Sequence, residues 1–338
     1  MFDRYTEFLI KNKDLSPDFE FIPLTQKQNR FQFVGGQIVN GYLYAIVNSA
    51  EKLLKYNISN GYMNFVGQFD KTDFKWTGGC IYDNVLYSFP RAADSLLVYY
   101  PESEAFEEID CGFKYNGEHH YGGVCTNDGI IYQPPRNTDH ILKWDIKNKK
   151  TQQIQINNGQ ICRYCGSLIH PNGYIYFIPE KDFRVIKMKI QTEEINYIDD
   201  PVCGMAFNPV AAADGNIYGF RTDNGILKID VLKNKVSILY SDCKIGAYGT
   251  KSGINGKLYS LPGYTNDVWE FNPFNENLKK CCSVEEGYRV NYAGGAVDLN
   301  GDIYALPVFA ENILKISFKK HNVNIPLDIY NIFFKDFY

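Results

Sequence analysis

Apolar residues along this chain recur in short, dense runs rather than at the three- or four-residue spacing of an amphipathic helix. The runs are rich in β-branched and aromatic residues, as in GIIY (129–132), YIYFI (174–178) and ILKID (226–230). Gly, Asn, Asp and Pro separate them. This pattern predicts short β-strands that are joined by tight turns.

The pattern is repeated, and each unit contains a tyrosine at the end of its second apolar run. These tyrosines are Tyr44, Tyr87, Tyr132, Tyr176, Tyr218, Tyr259 and Tyr304, which stand 41–45 residues apart. Four short strands with their turns fill about 40–50 residues, the length of one propeller blade. We therefore predict an all-β fold, a seven-bladed β-propeller with four-stranded antiparallel blades.

Each unit also carries turn signals that place its strands, which we name A to D from the axis outwards. Strand A opens with a glycine pair in four units: Gly35–Gly36, Gly78–Gly79, Gly122–Gly123 and Gly294–Gly295. An Asn-Gly or Asp-Gly turn follows strand A in six units, as at Asn40–Gly41, and such dipeptides favour tight hairpins. A proline stands three residues after the tyrosine in five units and ends strand B.

These units resemble the repeats of seven-bladed β-propellers and have a kelch-like period over about residues 30–320, with the motif GG…NG-x-IY-xx-P…D-x-ILK-x-D. In kelch repeats the glycine pair follows strand B, whereas here it opens strand A. The kelch tryptophan near strand D is missing from most units. The resemblance therefore implies the fold and no particular activity.

The length of 338 residues suits one domain, because propellers grow by adding blades. We expect an N-terminal arm at residues 1–18, a closing strand at 19–25, blades over about 30–325 and a tail at 326–338. The arm is either a short amphipathic helix or a docked terminus. The sequence Phe19–Thr25 precedes the first glycine pair as a strand D does, so it is predicted to complete blade 7. The C-terminal tail is the alternative closing strand.

Composition narrows the function classes. The formal net charge of −4 argues against a nucleic-acid partner, and no stretch has the length and apolarity needed to span a membrane. The N-terminus has no signal-peptide core, so we expect a cytoplasmic protein. We also expect the protein to be a monomer. Nine cysteines, including a lone Cys162-x-x-Cys165, are interpreted as reduced thiols without a metal or cofactor.

An acidic residue precedes strand C in every unit. The seven are Glu51, Asp94, Asp139, Asp182, Asp223, Asp267 and Glu311. A feature that all blades share serves the fold, and we interpret these side chains as acceptors for the amides of the B–C turn. Function is therefore sought where the repeat is broken.

The breaks lie in the D–A and B–C loops, which open on one face of a propeller. Arginines follow strand B, and other cations, aromatic residues and histidines precede strand A or begin it. The predicted ligand-binding residues are Arg91, Arg136, Arg221, Arg163, Arg289, Lys75, Trp76, His119 and His120. Guanidinium groups beside aromatic planes suit an anionic small molecule, a carbohydrate-like ligand, or an acidic peptide or protein segment. The alternative is that each arginine pairs with the acidic residue of its own blade.

Glu118-His119-His120 has no counterpart in other units, and His140 follows in the same blade. This set raises a second function class, a carbohydrate-active enzyme such as a lyase for acidic polysaccharides. Its candidate catalytic residues are His120, His140, Tyr121, Tyr164 and Arg163. The structural alternative is that the histidines only hold loops together. No catalytic motif is specific enough to prefer the enzyme, so the sequence favours a binding module.

Overall fold

The computed structural model describes residues 2–26, 31–284, 290–318 and 323–335. Its strands form seven four-stranded antiparallel sheets in a ring, which confirms the predicted β-propeller. In every sheet the strands lie in the order A, B, C, D.

The first three blades take their strands in chain order. Blade 1 comprises Phe33–Val39, Tyr42–Val47, Leu53–Asn57 and Met63–Val66. Blade 2 comprises Trp76–Tyr82, Val85–Pro90, Ser95–Tyr100 and Ala105–Asp110. Blade 3 comprises Val124–Cys125, Ile130–Gln133, His140–Asp145 and Lys150–Gln155.

The remaining blades follow the same plan until the ring closes. Blade 4 comprises Tyr164–His170, Tyr174–Pro179, Lys181–Lys189 and Ile195–Cys203. Blade 5 comprises Val210–Ala211, Ile217–Phe220, Asn224–Asp230 and Lys235–Lys244. Blade 6 comprises Ala247–Ser252, Leu258–Pro262, Asp267–Asn272 and Asn277–Ser283. Blade 7 comprises Tyr292–Val297, Ile303–Pro307, Asn312–Phe318 and, as strand D, Pro17–Pro23.

The N-terminal strand closes the ring, as predicted. Pro17 pairs with Phe318 at one end of the antiparallel ladder, and Pro23 pairs with Asn312 at the other. The strand lies two residues earlier than the predicted segment 19–25. Proline has no backbone N–H for a ladder and is tolerated at strand ends, so the two prolines were a better boundary signal than the apolar run.

The inner strands of neighbouring blades approach each other closely. This explains why the second residue of the glycine pair in blade 1, Gly36, has no side chain. A Cβ atom on Gly36 of blade 1 would lie 2.2 Å from Leu306 Cδ1 of blade 7 and 2.9 Å from the carbonyl oxygen of Tyr44. Any larger residue would push these neighbours apart. The glycine therefore lets blades 1 and 7 pack around the axis.

Both termini cover the face that carries the A–B turns. The N-terminal arm is helical over Phe2–Asn12, and the C-terminal segment forms a helical turn, Leu327–Ile329, that continues as a π-helical turn, Tyr330–Phe334. The rings of Tyr5 and Phe333 stack with centroids 3.8 Å apart. One short 3-10 turn, Asn157–Gly159, follows blade 3. Across the described segments, no helix is long and apolar enough to cross a lipid bilayer.

Candidate ligand site at the channel mouth

Backbone hydrogen bonds tie the D–A and B–C loops together on the face opposite the termini. In blade 2 the amide of Arg91 donates to the carbonyl of Lys75, and in blade 3 the amide of Arg136 donates to that of His119. Each bond joins the arginine that follows the proline near the end of strand B to a residue three positions before the first glycine of strand A. The bonds therefore define equivalent positions in different blades and confirm that both loop sets share a face.

Arg91 and Arg136 meet at one carboxylate. Arg91 Nη2 lies 2.9 Å from Glu118 Oε2, and Arg136 Nε lies 2.7 Å from the same oxygen. Arg136 Nη1 also lies 3.0 Å from Glu180 Oε2. Both guanidinium groups lie over the ring of Tyr121, each 4.8 Å from its centroid. These two arginines thus join blades 2, 3 and 4, rather than pairing with the acidic residue of their own blades.

The environment keeps these groups ionised. Burial opposes the charge of Glu118, but Arg91 and Arg136 outweigh it and hold the pKa of that carboxyl below its ordinary value. Burial likewise opposes the charge of Arg136, but Tyr121, Glu180 and Glu118 together raise its pKa above the ordinary value. The mouth therefore carries a fixed arrangement of charges near neutral pH.

Arg163 is the most exposed of the predicted site cations that the structure describes. Its side chain is 53% exposed, its Nε donates to Asn137 Oδ1 at 3.0 Å, and its Nη1 lies 4.0 Å from Glu180 Oε1. Among the described residues of this network, three arginines (Arg91, Arg136 and Arg163) face two glutamates (Glu118 and Glu180), which leaves one net positive charge.

Aromatic rings fill the centre of the mouth. The rings of Phe207 and Tyr248 stack at 4.1 Å, and the hydroxyls of Tyr121 and Tyr248 lie 3.1 Å apart. Phe31 contacts Phe74 and Phe309, with centroids 5.3 and 4.7 Å away. We call this group the mouth cluster: Phe31, Phe74, Tyr121, Phe207, Tyr248 and Phe309. Tyr264 lies beside Tyr248 and is 44% exposed, so an aromatic face is open to a ligand.

The sequence contained a signal for this cluster that we did not use. Phe31 and Phe74 each stand four residues before the first glycine of the pair, and Glu118 takes the same position in blade 3. Both phenylalanines have a left-handed backbone, with φ of 50° and 62°. Bulky residues rarely adopt that conformation, which costs about 1–3 kcal/mol. The surrounding loops therefore hold these rings at the mouth against local strain.

Three predicted site residues are engaged inside the fold. The Lys75 ammonium donates to the carbonyls of Asp70 and Thr72, at 2.9 and 2.8 Å, within its own loop. Trp76 Nε1 donates to the carbonyl of Ser95 at 2.9 Å. The Tyr164 hydroxyl donates to the carbonyl of Arg184 at 3.0 Å, and its side chain is buried. The structure does not bring these three groups to the mouth.

Arg221 does not occupy the position of Arg91 and Arg136, which corrects the predicted equivalence. Arg221 pairs with Ala206 across the sheet, as Pro135 pairs with His120, so it stands where other blades have proline. The residue equivalent to Arg91 in blade 5 is Thr222, whose amide donates to Met205. Arg221 Nη2 instead contacts Asp223 Oδ2 at 2.8 Å, as the own-blade alternative proposed. Arg289 lies outside the described residues.

The histidines do converge, around a tyrosine that the sequence analysis missed. The rings of His120 and His140 are 5.2 Å apart, and Tyr115 stacks on His119 at 4.1 Å. The Tyr115 hydroxyl lies 3.0 Å from His140 Nε2, and His140 Nδ1 lies 2.8 Å from Asp139 Oδ1. In the sequence, only the short distance of four residues between Tyr115 and His119 pointed to a contact between them.

The contacts of the histidines favour a structural role. His119 Nε2 donates to the carbonyl of Ala93 at 2.8 Å, so the neutral ring accepts at Nδ1 the proton of His120 Nδ1, also 2.8 Å away. Burial lowers the pKa of both rings, and that of His120, which has no exposed surface, lies well below the ordinary value. In this tautomer the pair uses three of its imidazole nitrogens to hold loops of blades 2 and 3 together, and His120 Nε2 lies 3.5 Å from the Thr138 hydroxyl, which can donate to it.

A second groove on this face is acidic. Its volume is about 810 Å³, and it lies between blades 1 and 2. Its charged lining comprises Asp70, Asp73, Asp94, Glu108, Asp110, Lys75 and Lys114. The ammonium of Lys114 lies 3.5 Å from Asp94 and 3.3 Å from Asp110. Within the described residues, the excess positive charge of the mouth therefore does not extend across blade 2.

The acidic residues before strand C share a backbone contact rather than a side-chain contact. The carbonyls of Glu51, Asp94 and Asp139 each accept an amide that follows strand D. Their carboxylates contact different partners, such as His140 for Asp139 and the amide of Tyr115 for Asp94. In these three blades the shared contact is thus a main-chain bond to the segment after strand D, which differs from the predicted side-chain bond to amides of the B–C turn. The side chain of Asp182 lies outside the described part.

The cysteines form no disulfide within the described segments, and this holds for Cys162 and Cys165. Among the same residues, no group of three or more His, Cys, Asp or Glu side chains is placed to hold a metal ion.

Comparisons with known proteins place the fold only. No protein-family model matches the chain, and no curated protein sequence matches it. A streptogramin B lyase structure is similar, with a TM-score of 0.75 and 12% identity over 91% of this chain and 99% of that one. Virginiamycin B lyase from Staphylococcus aureus is similar with a TM-score of 0.74 and 12% identity, over 89% of this chain and 99% of that one. The extracellular domain of a one-component system from B. thetaiotaomicron gives 0.67 and 10% over 89% of this chain and 40% of that one. The shared propeller thus occurs in lyases and in sensor domains.

Proposed function

We propose that this protein is a binding module whose channel mouth holds an anionic, carbohydrate-like ligand. The observation that supports this best is the set of Arg91 and Arg136, which are stacked on Tyr121 and held by Glu118 and Glu180 from neighbouring blades. A symmetric ring does not need such a network in one sector. The resemblance to kelch repeats concerns only the length of the repeat, and the proposed function does not depend on it.

The ligand class follows from the groups that line the mouth. Aromatic rings offer flat apolar faces, and a few polar groups among them fix a ligand's orientation. Guanidinium groups recognise a carboxylate through paired N–H donors. Arg163 is half exposed and therefore offers the first contact for a carboxylate of an acidic sugar. An acidic peptide or protein segment carries the same carboxylates and is the competing ligand.

A lyase is the second candidate. Its support is the pair of hydroxyls on Tyr121 and Tyr248, 3.1 Å apart beside the arginines, since a tyrosine near a cation can move a proton in an elimination reaction. Burial raises the pKa of Tyr248 well above its ordinary value, which opposes its action as a base. His119, His120 and His140 are buried, with exposures of 1%, 0% and 5%, so none of them presents a base on the surface of the mouth, and binding is the better-supported function.

A thermal-shift screen tests the proposal. The probes are oligogalacturonates, neutral galacto-oligosaccharides of equal length, and oligoglutamate peptides. We expect the oligogalacturonate to raise the melting temperature of the wild type, because a ligand that binds only the native state stabilises it. Arg136→Gln should lose this shift. Arg221→Gln is the matched control, because Arg221 is also buried and ion-paired but belongs to another position, and it should retain the shift.

The same samples separate the outcomes. A shift that survives in Arg136→Gln, or that neutral sugars produce equally well, would remove the mouth from consideration as an anion site. A shift with oligoglutamate alone would assign the site to an acidic peptide. Appearance of unsaturated sugar product in the wild-type sample, absent from Arg136→Gln, would replace the binding module by the lyase.

A further inference from the structure

A cavity of about 470 Å³ lies at the end of the channel where the A–B turns meet the C-terminal segment. Inner strands of blades 4 and 5 and the A–B turn of blade 3 form its walls, and the C-terminal segment closes one side. Leu168, Val210, Ile332 and Phe333 contribute to a mainly apolar lining. Small-molecule sites commonly have about this volume and character, with few polar groups.

Asn208 breaks the repeat in this wall, but its amide is not within reach of a bound molecule. It stands three positions after Met205, whose carbonyl accepts the amide of Thr222, and the same position is glycine in the other six blades. Asn208 is 3% exposed, and both polar atoms of its amide are fully buried, with no partner among the described residues. The head group of a ligand therefore needs another partner in the lining.

Lys335 offers that partner. Among the described residues its ammonium has neither a hydrogen bond nor an ion pair. The residue is half-buried, and its ammonium keeps accessible surface. Asp128, the other charged residue of the described lining, is exposed, and its carboxylate accepts the hydroxyl of Thr126. The cavity therefore presents one accessible positive charge beside an apolar wall.

The electrostatics of a buried thiol place this charge on the side of the cavity. Burial and the neighbouring Cys125 raise the pKa of the Cys80 thiol, whereas the positive charge of Lys335 acts to lower it. Cys80 and Cys125 lie on the inner strands of blades 2 and 3, and Cys125 lines the cavity. Solvent would screen a charge that lay farther out on the surface. The ammonium is therefore directed towards the inner strands.

Contacts of the C-terminal segment fix the position of Lys335. Its amide donates to the carbonyl of Tyr330 at 2.8 Å, and the Tyr330 hydroxyl donates to the carbonyl of Val297 in blade 7 at 2.7 Å. The preceding residue, Phe334, is buried, and its ring lies edge-on to Tyr5 with centroids 5.8 Å apart. A ligand thus meets a preformed site and does not have to order this segment.

We propose that this cavity binds a small monocarboxylic acid with a compact apolar body. The body fills the apolar space, and the carboxylate pairs with the ammonium of Lys335 at its edge. His170 also lies in the wall, but burial lowers its pKa, so the ring is neutral near pH 7 and adds no second cation. A dianionic head group would leave one charge unpaired beside an apolar wall, which is costly. This site is separate from the mouth and does not depend on the function proposed there.

Calorimetric titration with 2-naphthoate, 2-naphthylmethanol and 2-naphthylmethylammonium tests the inference, because the three probes share a ring system and differ in the charge of the head group. We expect the wild type to bind 2-naphthoate at least tenfold more tightly than the alcohol, and the cationic probe more weakly still. Lys335→Met should lose this preference and bind 2-naphthoate at least tenfold more weakly, whereas Lys335→Arg should keep the preference. Lys335→Met should melt at the wild-type temperature, since its ammonium has no partner to lose.

Lys71→Met is the matched control. Lys71 is 79% exposed and lies 3.8 Å from Glu51, so its loss changes the net charge equally without touching the cavity. This variant should bind 2-naphthoate as the wild type does. An equal loss of affinity in Lys71→Met, a wild type without preference for 2-naphthoate, or a Lys335→Met variant that keeps the preference would each overturn the inference.

The anionic probe must also be distinguished from a ligand of the mouth. Arg136→Gln should retain the binding of 2-naphthoate, and Lys335→Met should retain any binding of oligogalacturonate. Loss of 2-naphthoate binding in Arg136→Gln, with retention in Lys335→Met, would assign this anion to the mouth and overturn the cavity as its site. Failure of oligogalacturonate to bind the wild type would count against the mouth alone.

Discussion

The mouth and the channel cavity are two places where the repeat is broken, and they differ in how the break is satisfied. At the mouth, Glu118 replaces the phenylalanine of blades 1 and 2, and its carboxylate is shared by two arginines. In the cavity, Asn208 replaces a glycine, and its amide has no partner among the described residues. The first break is satisfied by neighbouring side chains, whereas the second leaves a buried amide without a hydrogen bond. A break therefore indicates a site only where it leaves groups that a ligand can reach.

The largest expected effect, loss of the folded monomer, comes from removing residues 1–26. This deletion tests whether the mouth depends on closure of the ring. The deletion removes strand Pro17–Pro23 and leaves strand Asn312–Phe318 as an open edge. Unpaired edges associate with one another, so we expect loss of the monomer and aggregation in size-exclusion chromatography.

Removing residues 1–14 alone is the matched control. It keeps the closing strand but loses the buried side chains of Tyr5 and Leu9, each worth about 1.5–3 kcal/mol. This shorter deletion should lower the melting temperature while the protein stays monomeric and keeps its mouth. A monomeric, equally stable product of the longer deletion would contradict the closure by Pro17–Pro23.

Glu118→Gln sharpens the comparison at the mouth. The change leaves Arg91 and Arg136 without their shared carboxylate, and we expect it to lower the free energy of unfolding by about 1–3 kcal/mol. Because the folded-state pKa of Glu118 is lowered, this contribution is present above the ordinary glutamate pKa and is lost as the pH falls through the folded value. Urea unfolding at pH 7 and at pH 3 measures both effects.

Glu107→Gln is the control for that experiment. Glu107 pairs with Lys149 at 2.6 Å, but both side chains are exposed, so solvent screens the pair. Its removal should leave stability nearly unchanged. Equal losses in the two variants would show that the carboxylate at the mouth has no special role in the fold.

A smaller effect concerns the histidines beside the mouth. The folded-state pKa values of His119 and His120 are lowered, so the unfolded chain binds more protons than the folded one once the pH falls below about 6.5. Stability should therefore be full at pH 7 and fall between pH 6.5 and 5, by at most about 1.4 kcal/mol per pH unit for each group. His120→Gln should flatten this slope. An unchanged slope would mean that other groups set the acid sensitivity.

The sequence predicted the ring well because its signals are local and repeated. The Asn-Gly turns report a backbone requirement that is met within one blade, and the seven tyrosines and the glycine pairs recur at a nearly fixed spacing. The shared position of Phe31, Phe74 and Glu118 was readable in the same way, since spacing from the glycine pair defines it.

The partners of the site residues were not predictable, because they come from other blades or from a small shift in register. Arg136 contacts Glu180 of blade 4, although 44 residues separate them. In blade 5, Arg221 takes the place that proline has in blade 3, which is one position before the place of Arg91 and Arg136. The lack of a hydrogen-bond partner for the Asn208 amide depends on which groups of other blades pack around it. These contacts depend on how the blades pack against one another, and the spacing of residues along the chain carries no information about that packing.

The affinity of oligogalacturonate for wild type, Arg136→Gln and Glu118→Gln tests the central claim most directly. If the mouth holds an anionic sugar, removing the arginine should weaken binding by about 1–3 kcal/mol, which is roughly 5- to 150-fold. Removing the glutamate should strengthen binding, because Arg91 and Arg136 lose the carboxylate that competes with the ligand. Calorimetric titration should thus give changes of opposite sign in the two variants. Changes of the same sign, or no change in either, would contradict the account.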